Sequence, residues 1–378
     1  MRIIHVQKIK GIAGSEKGFL NLLPGLMEKD VQILLVCFYE RRHRSAALSF
    51  IGQAQVKHIE VKAVELNRVF SALGAALKIK SISKAWNAEL IHSHLIHSDF
   101  WCAISKFLFR LKPIIVSTKH GYDEHYLAHN GFEVKKSIKR TLYWNLAKFS
   151  EKRIKASFAV SRGLAEFYST AGLIKGEMMP VIYHGLNFEQ NSTFNSELRF
   201  GDPQLIIVGR LVPFKGHKYV FEYLGKLKKE FPNFSLVILG DGPMRPELVR
   251  IAENQGCIDN VRFQGHQSNA LQYLAMSDIK LVPSKAEGFG LVSLEAMNQK
   301  LAIVGFNVSA TNEIVVHNKT GLLIEPFNAE LFSSELISLL KNPTLYKQMG
   351  ELGLERLSTN FSVAGMVENV IDFYRQNY

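Results

Sequence analysis

Two carboxylates stand in one short segment, Pro283 to Met297, which reads PSKAEGFGLVSLEAM and carries Glu287 and Glu295. The apolar run before it, Ile279 to Val282, has the character of a buried strand, and glycines interrupt the pattern before helical spacing resumes. The segment is therefore predicted to be a strand, a tight loop and a helix N-terminus. Backbone N–H groups at such a terminus carry the positive end of the helix dipole, which suits a phosphate or a nucleotide diphosphate.

The spacing of the two carboxylates indicates what they could bind. A helix rises about 1.5 Å per residue, so Glu287 and Glu295 stand at most roughly 12 Å apart. This span suits two separate hydroxyl-bearing rings rather than one shared metal ion. In the alternative interpretation, Glu287 only caps the helix and Glu295 is a solvated helix residue.

Two basic residues lie in a second loop of the same kind. The apolar run Gln204 to Val208 is followed by GRLVPFKG, which places Arg210 and Lys215 before an amphipathic helix. Arginine brings a planar fork of donors and lysine a point charge, a pairing suited to a diphosphate. A third apolar run, Ser235 to Leu239, leads into GDGP. Because ligands of open α/β sheets bind at the carboxyl ends of the strands, we expect these loops to meet at one edge.

Taken in order, GRLVPFKG, LGDGP, NVRFQGH and PSKAEGFGLVSLEAM resemble the retaining glycosyltransferases of family 4, the glycosyl transferases group 1. The resemblance extends more weakly over nearly the whole chain. It implies an α/β protein of the GT-B fold, with two Rossmann-like doubly wound domains facing a central cleft. It also implies a nucleotide-sugar donor in the second domain and no cofactor. No metal is implied, and the chain contains no Asp-x-Asp motif for a divalent ion.

The resemblance carries roles to particular positions. Four residues are expected to be catalytic: His120, Arg210, Lys215 and Glu287. The expected donor-binding residues are Gly14, Gly209, Gly242, Gly265, His266, Gly288, Phe289, Gly290, Leu291, Val292 and Glu295. Glu287 would hold hydroxyls of the donor sugar, and Glu295 those of the ribose. Retention could proceed through a covalent carboxylate intermediate or through front-face attack, in which the leaving phosphate takes the acceptor proton.

Three loops depart from the family pattern. In GIAGSEKG, residues 11–18, one glycine of the usual pair remains, so close approach of the donor is expected at Gly14 and is questionable at Ala13. His184 stands where the family's hinge has asparagine. After the predicted strand Leu301 to Val304, Val308-Ser309-Ala310-Thr311 replaces a glycine pair, which would narrow the pocket near the sugar.

The histidines divide into two groups. His92, His94 and His97 have a spacing that could suggest a metal cluster, but they follow a strand and alternate, so no metal site is predicted. His120 ends the predicted strand Pro113 to Thr118 on the cleft side of a doubly wound sheet. In the family, a histidine there contacts the donor sugar or the transferring phosphate. The alternative is a loop histidine with a structural hydrogen bond.

Length and composition fit two domains with substantial cores. The chain has 378 residues, of which 47% are hydrophobic. Apolar periodicity stops near residues 181–203, so the first domain is expected to span residues 1–185 and to bind the acceptor. Residues 186–361 would bind the donor, and the helix of residues 362–378 would pack back onto the first domain.

The first half shows an alternation of strands and helices that predicts a doubly wound sheet. Its predicted strands are Ile3 to Val6, Val31 to Phe38, Val56 to Val61, Glu89 to Ser93 and Pro113 to Thr118. No apolar run is long enough to span a membrane, and Met1 leads directly into a strand. Three distant cysteines suggest neither a disulfide framework nor a zinc site, and they favour a reducing cytoplasm.

Charge is distributed unevenly. Residues 1–185 contain 28 Lys and Arg and 14 Asp and Glu, a balance of +14, whereas the rest contain 18 and 20, a balance of −2. This asymmetry points to an anionic partner of the first half. Residues Lys135 to Lys155 are predicted to form a basic amphipathic helix at an anionic membrane surface, or else an ordinary surface helix. No motif supports binding of nucleic acid.

The sequence thus predicts a retaining, metal-independent glycosyltransferase of the cytoplasm or the inner face of the cell membrane. Its donor would be a nucleotide-diphosphate sugar, with UDP-sugars favoured over GDP-mannose. Its acceptor would be a lipid-linked sugar or glycan in cell-envelope polysaccharide biosynthesis, with a hexosyl or N-acetylhexosaminyl group transferred. Two alternatives remain: an epimerase-like enzyme of the same fold that frees the sugar without an acceptor, and a non-catalytic protein that binds a nucleotide sugar or a membrane surface.

Overall fold

The structure is a computed structural model that describes residues 1–12, 14–66, 71–174, 178–187 and 195–378. Proximity of Cα atoms divides the chain into two units. The first comprises Met1–Asp123, Glu133–Gly185 and Ser362–Tyr378. The second comprises Glu124–Phe132 and Leu186–Phe361. Ala13, one residue of the first glycine-bearing turn, lies outside the described residues.

A parallel sheet of six described strands forms the centre of the first unit. The strands are β1 (Arg2–Ile9), β2 (Gln32–Glu40), β3 (Glu60–Leu66), β4 (Leu90–His94), β5 (Ile114–Lys119) and β6 (Ala156–Ala159). They lie in the order β3-β2-β1-β4-β5-β6. This order reverses direction between β1 and β4, where ligands of doubly wound sheets bind.

The second unit repeats this arrangement. Its strands are β7 (Gln204–Val208), β8 (Ser235–Leu239), β9 (Val261–Gly265), β10 (Ile279–Val282), β11 (Ala302–Phe306) and β12 (Gly321–Ile324). They are parallel, in the order β12-β11-β10-β7-β8-β9. Here the order reverses between β7 and β10. The loop after β7 is GRLVPFKG, and the loop after β10 is residues 283–290, called the Glu287 loop. The topology alone therefore places the two predicted site loops side by side.

Helices connect the strands within both units. In the first unit they are α1 (Gly14–Met27), α2 (Arg44–Val56), α3 (Ser71–Ala85), α4 (Leu95–Phe109), α6 (Leu142–Glu151), α7 (Arg162–Thr170) and α16 (Val363–Asn377). In the second they are α5 (Glu124–Asn130), α8 (His217–Phe221), α9 (Leu224–Glu230), α10 (Arg245–Asn254), α11 (Ala270–Ala275), α12 (Leu291–Asn298), α13 (Thr311–Ile314), α14 (Ala329–Leu340) and α15 (Pro343–Asn360).

The last helix, α16, is built into the core of the first unit. A Cβ atom on Gly25 of α1 would come within 2.6 Å of a methyl group of Val367, so the glycine lets the two helices approach closely. Tyr374 of α16 is fully buried, and its hydroxyl is hydrogen-bonded to Nδ1 of His92 at 2.6 Å. Helix α16 therefore contacts β4 directly.

One predicted strand is wrong in position. Val56 to Val61 was expected to be a strand, but Val56 ends α2 with 81% of its surface exposed, and β3 begins at Glu60. His58 has a left-handed φ of 59°, which separates helix from strand. Since β3 is an edge strand whose residues are mostly exposed, it has no apolar run that would mark its position.

The predicted basic helix from Lys135 to Lys155 is wrong as a single element. Lys136–Arg140 form a 3₁₀ helix, and Thr141 is extended, with φ −76° and ψ 144°. Its hydroxyl accepts the Trp144 N–H at 3.1 Å, so it caps a new helix, α6, as threonine commonly does. The apolar stripe is broken accordingly, because Ile138 is buried whereas Leu142 is 73% exposed.

Candidate functional site

The loops after β7 and β10 meet through an ion pair. The Lys215 ammonium donates to both carboxylate oxygens of Glu287, at 2.7 and 2.8 Å. The Ser284 hydroxyl donates to Oε1 of Glu287 at 2.7 Å, and only 8% of Glu287 is exposed. The predicted catalytic lysine and glutamate are thus in contact with each other, which the sequence did not predict.

Glycines allow these loops to pack backbone against backbone. Gly216 has a φ of 69°, and a Cβ atom there would lie 1.8 Å from the carbonyl oxygen of Pro283. The Lys285 N–H also donates to the Phe214 carbonyl at 2.8 Å, which ties the same two loops together. A Cβ atom on Gly242 would lie 2.5 Å from the carbonyl oxygen of Leu211. Gly242 is therefore required because a side chain at this position would clash with the neighbouring loop.

Helix α12 begins at the Glu287 loop. Gly290 is its N-cap, with a φ of 96°, and the carbonyl of Gly290 accepts the Ser293 N–H at 2.8 Å. The nearest atom to a Cβ built on Gly290 would be Ser293 Oγ at 3.6 Å, so the φ angle rather than crowding favours glycine here. The side chains of Phe289 and Leu291 are buried, so a ligand at this helix start would meet their backbone groups.

The other expected donor-binding residues occupy varied positions. Glu295 is buried in α12, and Val292 lines a pocket together with Lys215 and Glu287. Gly209 and Gly288 are half-buried. The Gly265 carbonyl accepts the Gly240 N–H at 2.7 Å, whereas the neighbouring His266 is exposed.

Arg210 carries an exposed guanidinium that is already paired. It donates to both carboxylate oxygens of Glu124, at 3.0 and 2.7 Å. Glu124 opens α5, which belongs to the second unit although it lies far from Arg210 in the sequence. A bidentate carboxylate offers the same planar oxygen pair as a phosphate, so the guanidinium already has the geometry suited to an anionic ligand.

Two buried polar residues beside the ion pair escaped the sequence analysis. Lys280 lies in β10, and His217 begins α8; both line the pocket that contains Lys215, Ser284 and Glu287. Burial, with the nearby charges of Lys280 and Lys215, lowers the pKa of His217 to about 3. A lysine inside an otherwise apolar strand was the signal that could have revealed Lys280.

Four histidines form a hydrogen-bonded chain in the first unit. Nδ1 of His5 lies 3.2 Å from Nε2 of His94, and Nδ1 of His94 lies 3.1 Å from Nε2 of His120. Nδ1 of His120 lies 3.3 Å from Nε2 of His184. A neutral imidazole donates through one nitrogen and accepts through the other, so the three hydrogen bonds form when each ring donates in the same direction, while Nε2 of His5 has no partner among the described residues. Both ring nitrogens of the predicted catalytic His120 are therefore engaged.

The physical state of this cluster follows from its burial. Burial lowers the pKa of His5 to about 3 and that of His184 to about 4, and burial with neighbouring histidines holds the pKa of His94 and His120 well below the usual range. His92 lies beside the chain, hydrogen-bonded to Tyr374 and Thr118, and burial lowers its pKa too. The imidazoles are accordingly neutral at pH 7.

The three histidines that lie close enough to hold a metal ion are not the three of the sequence pattern. His5, His92 and His94 place ring nitrogens within 4.8 Å of one another, whereas His97 lies apart against Trp101. Both nitrogens of His92 and of His94 already make hydrogen bonds to protein groups. These three could hold a metal only by giving up those bonds.

The departures from the family pattern have local explanations. His184 stacks on His120 with ring centroids 5.2 Å apart, and a Cβ atom on Gly18 would come within 2.6 Å of the His184 ring. Gly18 thus makes room for the larger residue at position 184. Ala310 keeps a φ of 66° and ψ of −44°, although it is not glycine. Among the described residues, apart from its chain neighbours and its own helix, no atom lies within 4 Å of a Cβ built on Gly14, so the space beside this glycine is open.

None of the helices in the described residues is both long and apolar enough to cross a membrane.

Two family models match adjoining parts of the chain. The model described as Glycosyltransferase Family 4 matches residues 12–190, and the model described as Glycosyl transferases group 1 matches residues 189–356. Together they extend over both units. The N-acetyl-alpha-D-glucosaminyl L-malate synthase of Bacillus anthracis is 27% identical over 311 residues, 80% of this chain and 78% of that protein.

Solved structures share the architecture at low identity. Anabaena Alr3699/HepE in complex with UDP-glucose has a TM-score of 0.82 and 19% identity, with 100% of both chains covered. A mutant of S. aureus TarM, solved with Fondaparinux, alpha-GlcNAc-glycerol and UDP, has a TM-score of 0.76 and 13% identity, with 99% of both chains covered. At such identities the likeness concerns the fold.

Proposed function

Because the chain belongs to glycosyltransferase family 4 and has the GT-B fold, we propose that it transfers a sugar, with retention of configuration, from a UDP-sugar to a glycan or lipid-linked acceptor. Family membership makes it a glycosyltransferase that uses a nucleotide sugar. The proposal adds the stereochemistry, the nucleotide and the acceptor class. The group transferred would be a hexosyl or N-acetylhexosaminyl group.

The observation that carries the proposal is the Lys215–Glu287 pair at the start of α12. It combines a fixed cation, a carboxylate and the backbone N–H groups of a helix N-terminus at the point where the second sheet reverses its order. The diphosphate of a nucleotide-diphosphate sugar is an anion that the lysine and the helix N–H groups can bind. The sugar hydroxyls can donate to the carboxylate. These are the interactions that the resemblance implies for the two loops.

The proposed chemistry follows the movement of charge. As the sugar–phosphate bond breaks, positive charge develops on the anomeric carbon and negative charge on the departing diphosphate. Lys215 and the N–H groups after Gly290 would stabilise the diphosphate, with Arg210 exchanging its Glu124 partner for phosphate oxygens. Protein groups would thereby do the work that a metal ion does elsewhere.

The carboxylates would orient the donor. Glu287 would accept sugar hydroxyls and Glu295 those of the ribose. Because Glu287 already accepts hydrogen bonds from Lys215 and Ser284, it is poorly placed as a free nucleophile. We therefore favour the front-face route, in which the leaving phosphate takes the acceptor proton. His120 would contact the sugar, as in the resembled family, with His94 and His184 holding its ring.

Donor identity is tested by thermal shift. The panel contains UDP-glucose, UDP-N-acetylglucosamine, GDP-mannose and ADP-glucose, and we expect the UDP-sugars to give the largest rise in melting temperature. Support for UDP comes from the complexes of Alr3699/HepE and TarM. Lys215→Ala should lose most of the shift, whereas the exposed Lys319→Ala should keep it. If no nucleotide sugar stabilises the protein, the donor-site assignment is wrong.

The reaction type needs a separate assay. Transfer to an acceptor should require both substrates, and the anomeric configuration of the product is read by NMR coupling constants. Turnover of donor alone with a change of configuration would support an epimerase-like enzyme instead. Donor binding without transfer or slow donor hydrolysis would support a binding protein.

The acceptor proposal rests on the basic first unit. Residues 1–185 carry a balance of 28 basic against 14 acidic residues. Phe107 is exposed at the end of α4, and the Arg153 guanidinium lies over its ring at 4.5 Å. An exposed aromatic ring beside basic groups suits an anionic lipid surface. We propose that the enzyme works at the inner face of the cell membrane, on a lipid-linked acceptor of cell-envelope polysaccharide biosynthesis.

A further inference from the structure

A buried lysine lies in the strand that leads into the Glu287 loop. Lys280 belongs to β10, which pairs with β11 on one side and β7 on the other, and only 1% of its surface is exposed. Its Nζ nitrogen donates to the carbonyl oxygen of Leu281 at 3.2 Å. A protonated lysine carries three N–H donors, so this contact leaves much of its hydrogen-bonding capacity unused.

His217 gives the same pocket a second polar group of this kind. It is 2% exposed, and in the described part of the chain neither ring nitrogen has a hydrogen-bond partner. Buried polar atoms are normally paired, since an unpaired one costs desolvation free energy. Two such side chains beside the Lys215–Glu287 pair indicate a pocket whose polar groups are completed by a ligand.

The charged groups around Lys280 come from the two neighbouring loops and from α12, and the paired strands β7 and β11 contribute none. Glu287 from the following loop and Glu295 from α12 attract a proton to its amine, while Lys215 from the loop after β7 repels one. His217 of α8 lies close enough to be affected by the charge of Lys280. Burial outweighs the two carboxylates and lowers the pKa of Lys280 to about 7. The Lys280 side chain is therefore close to half protonated at pH 7, and one more anion beside it would raise its pKa.

We propose that Lys280 takes up a proton when the donor diphosphate binds beside Lys215, and so adds a positive charge to the donor site only in the bound state. The proton comes from solvent and converts the Nζ amine to an ammonium group, and no bond of the donor is made or broken. The inference rests on the proposed function, because the donor supplies the anion. It adds Lys280 to the residues that set donor affinity and makes that affinity dependent on pH.

Calorimetry can count the proton. UDP-glucose is titrated into the protein at pH 8 in buffers that differ in ionisation enthalpy, and the slope of observed against buffer enthalpy gives the protons taken up. Both phosphoryl groups of UDP-glucose are esterified, so the ligand itself exchanges no phosphate proton at this pH. We expect uptake close to one proton in the wild type. We expect close to none in Lys280→Met or in Lys280→Arg, which is always charged.

The outcomes separate the two proposals. Lys319→Met, an exposed lysine of the second unit, should keep the wild-type slope. A slope of zero in the wild type overturns the role of Lys280 without reference to any variant, and so does an unchanged slope in Lys280→Arg. If UDP-glucose, GDP-mannose and ADP-glucose all fail to bind the wild type, the proposed function itself is wrong.

Discussion

Acid should unfold the first unit because its histidines are buried as neutral rings. The folded-state pKa of His5 is about 3 and that of His184 about 4, and those of His92 and His94 are also lowered, all by burial. The unfolded chain has ordinary histidines that titrate near pH 6.5. Below that pH the unfolded state binds more protons than the folded state. Stability is therefore lost as the pH falls from about 6.5 toward the folded values.

The expected size of the effect follows from linkage. At pH 5, keeping one buried histidine neutral costs about 2 kcal/mol relative to the unfolded chain. Four such residues, His5, His92, His94 and His184, would cost at most about 8 kcal/mol, which is comparable to the whole stability of a typical domain. We expect the first unit to lose most of its stability between pH 6.5 and pH 5.

Tryptophan fluorescence can follow this unit selectively. The three tryptophans of the chain, Trp86, Trp101 and Trp144, all belong to the first unit. Urea unfolding recorded by their emission at several pH values gives its free energy of unfolding, whereas circular dichroism reports both units. His5→Leu removes one ring of the cluster and should reduce the pH dependence by about one proton.

The controls decide whether the cluster is responsible. His58→Gln changes an exposed histidine of the same unit and should leave the pH dependence as in the wild type. A free energy of unfolding that stays constant from pH 7.5 to pH 5 would refute the reasoning. An acid transition seen by circular dichroism but not by tryptophan emission would place the sensitive groups in the second unit instead.

Three further predictions concern catalysis, backbone strain and the membrane. Lys215→Ala should lower kcat by about 10²–10³-fold, as loss of one charge-stabilising donor does elsewhere. Steady-state kinetics measure this effect with Lys319→Ala as the control, and wild-type kcat in both variants would contradict it. Ala310→Gly should raise the free energy of unfolding by about 0.5–1 kcal/mol, because glycine adopts a positive φ without strain; a lower value in urea unfolding would be contrary evidence. Glutamine in place of four basic residues should weaken co-sedimentation with anionic liposomes but not with neutral ones, and unchanged co-sedimentation would leave membrane contact unsupported. The four residues are Lys135, Lys136, Lys139 and Arg140.

The sequence predicted the second unit well because its signals are local. Three of its strands, β7, β8 and β10, have the predicted bounds, since each is a mostly apolar run that ends at a glycine or proline. The glycines of the loops can likewise be recognised from the sequence alone, without knowing which residues they contact. The GT-B fold was predicted through the resemblance and agrees with the matched families and structures.

Contacts between distant residues were beyond the sequence. Nothing local pairs Arg210 with Glu124, or His120 with His184, because only the folded backbone brings such side chains together. Thr141 is different, since a threonine before an apolar stretch is a helix start signal that the basic pattern obscured. The roles assigned to the site residues remain predictions.

The position of Tyr374 has a consequence for how the protein is made. A ribosome delivers the chain from its first residue, and domains generally fold in that order. Here the hydroxyl that pairs with His92 belongs to α16, which follows the second unit in the sequence, so the first unit lacks part of its interior until the second unit has been synthesised. We therefore expect the first unit to complete its folding after the second unit, although most of it is translated earlier. It should depend on chaperones during that interval.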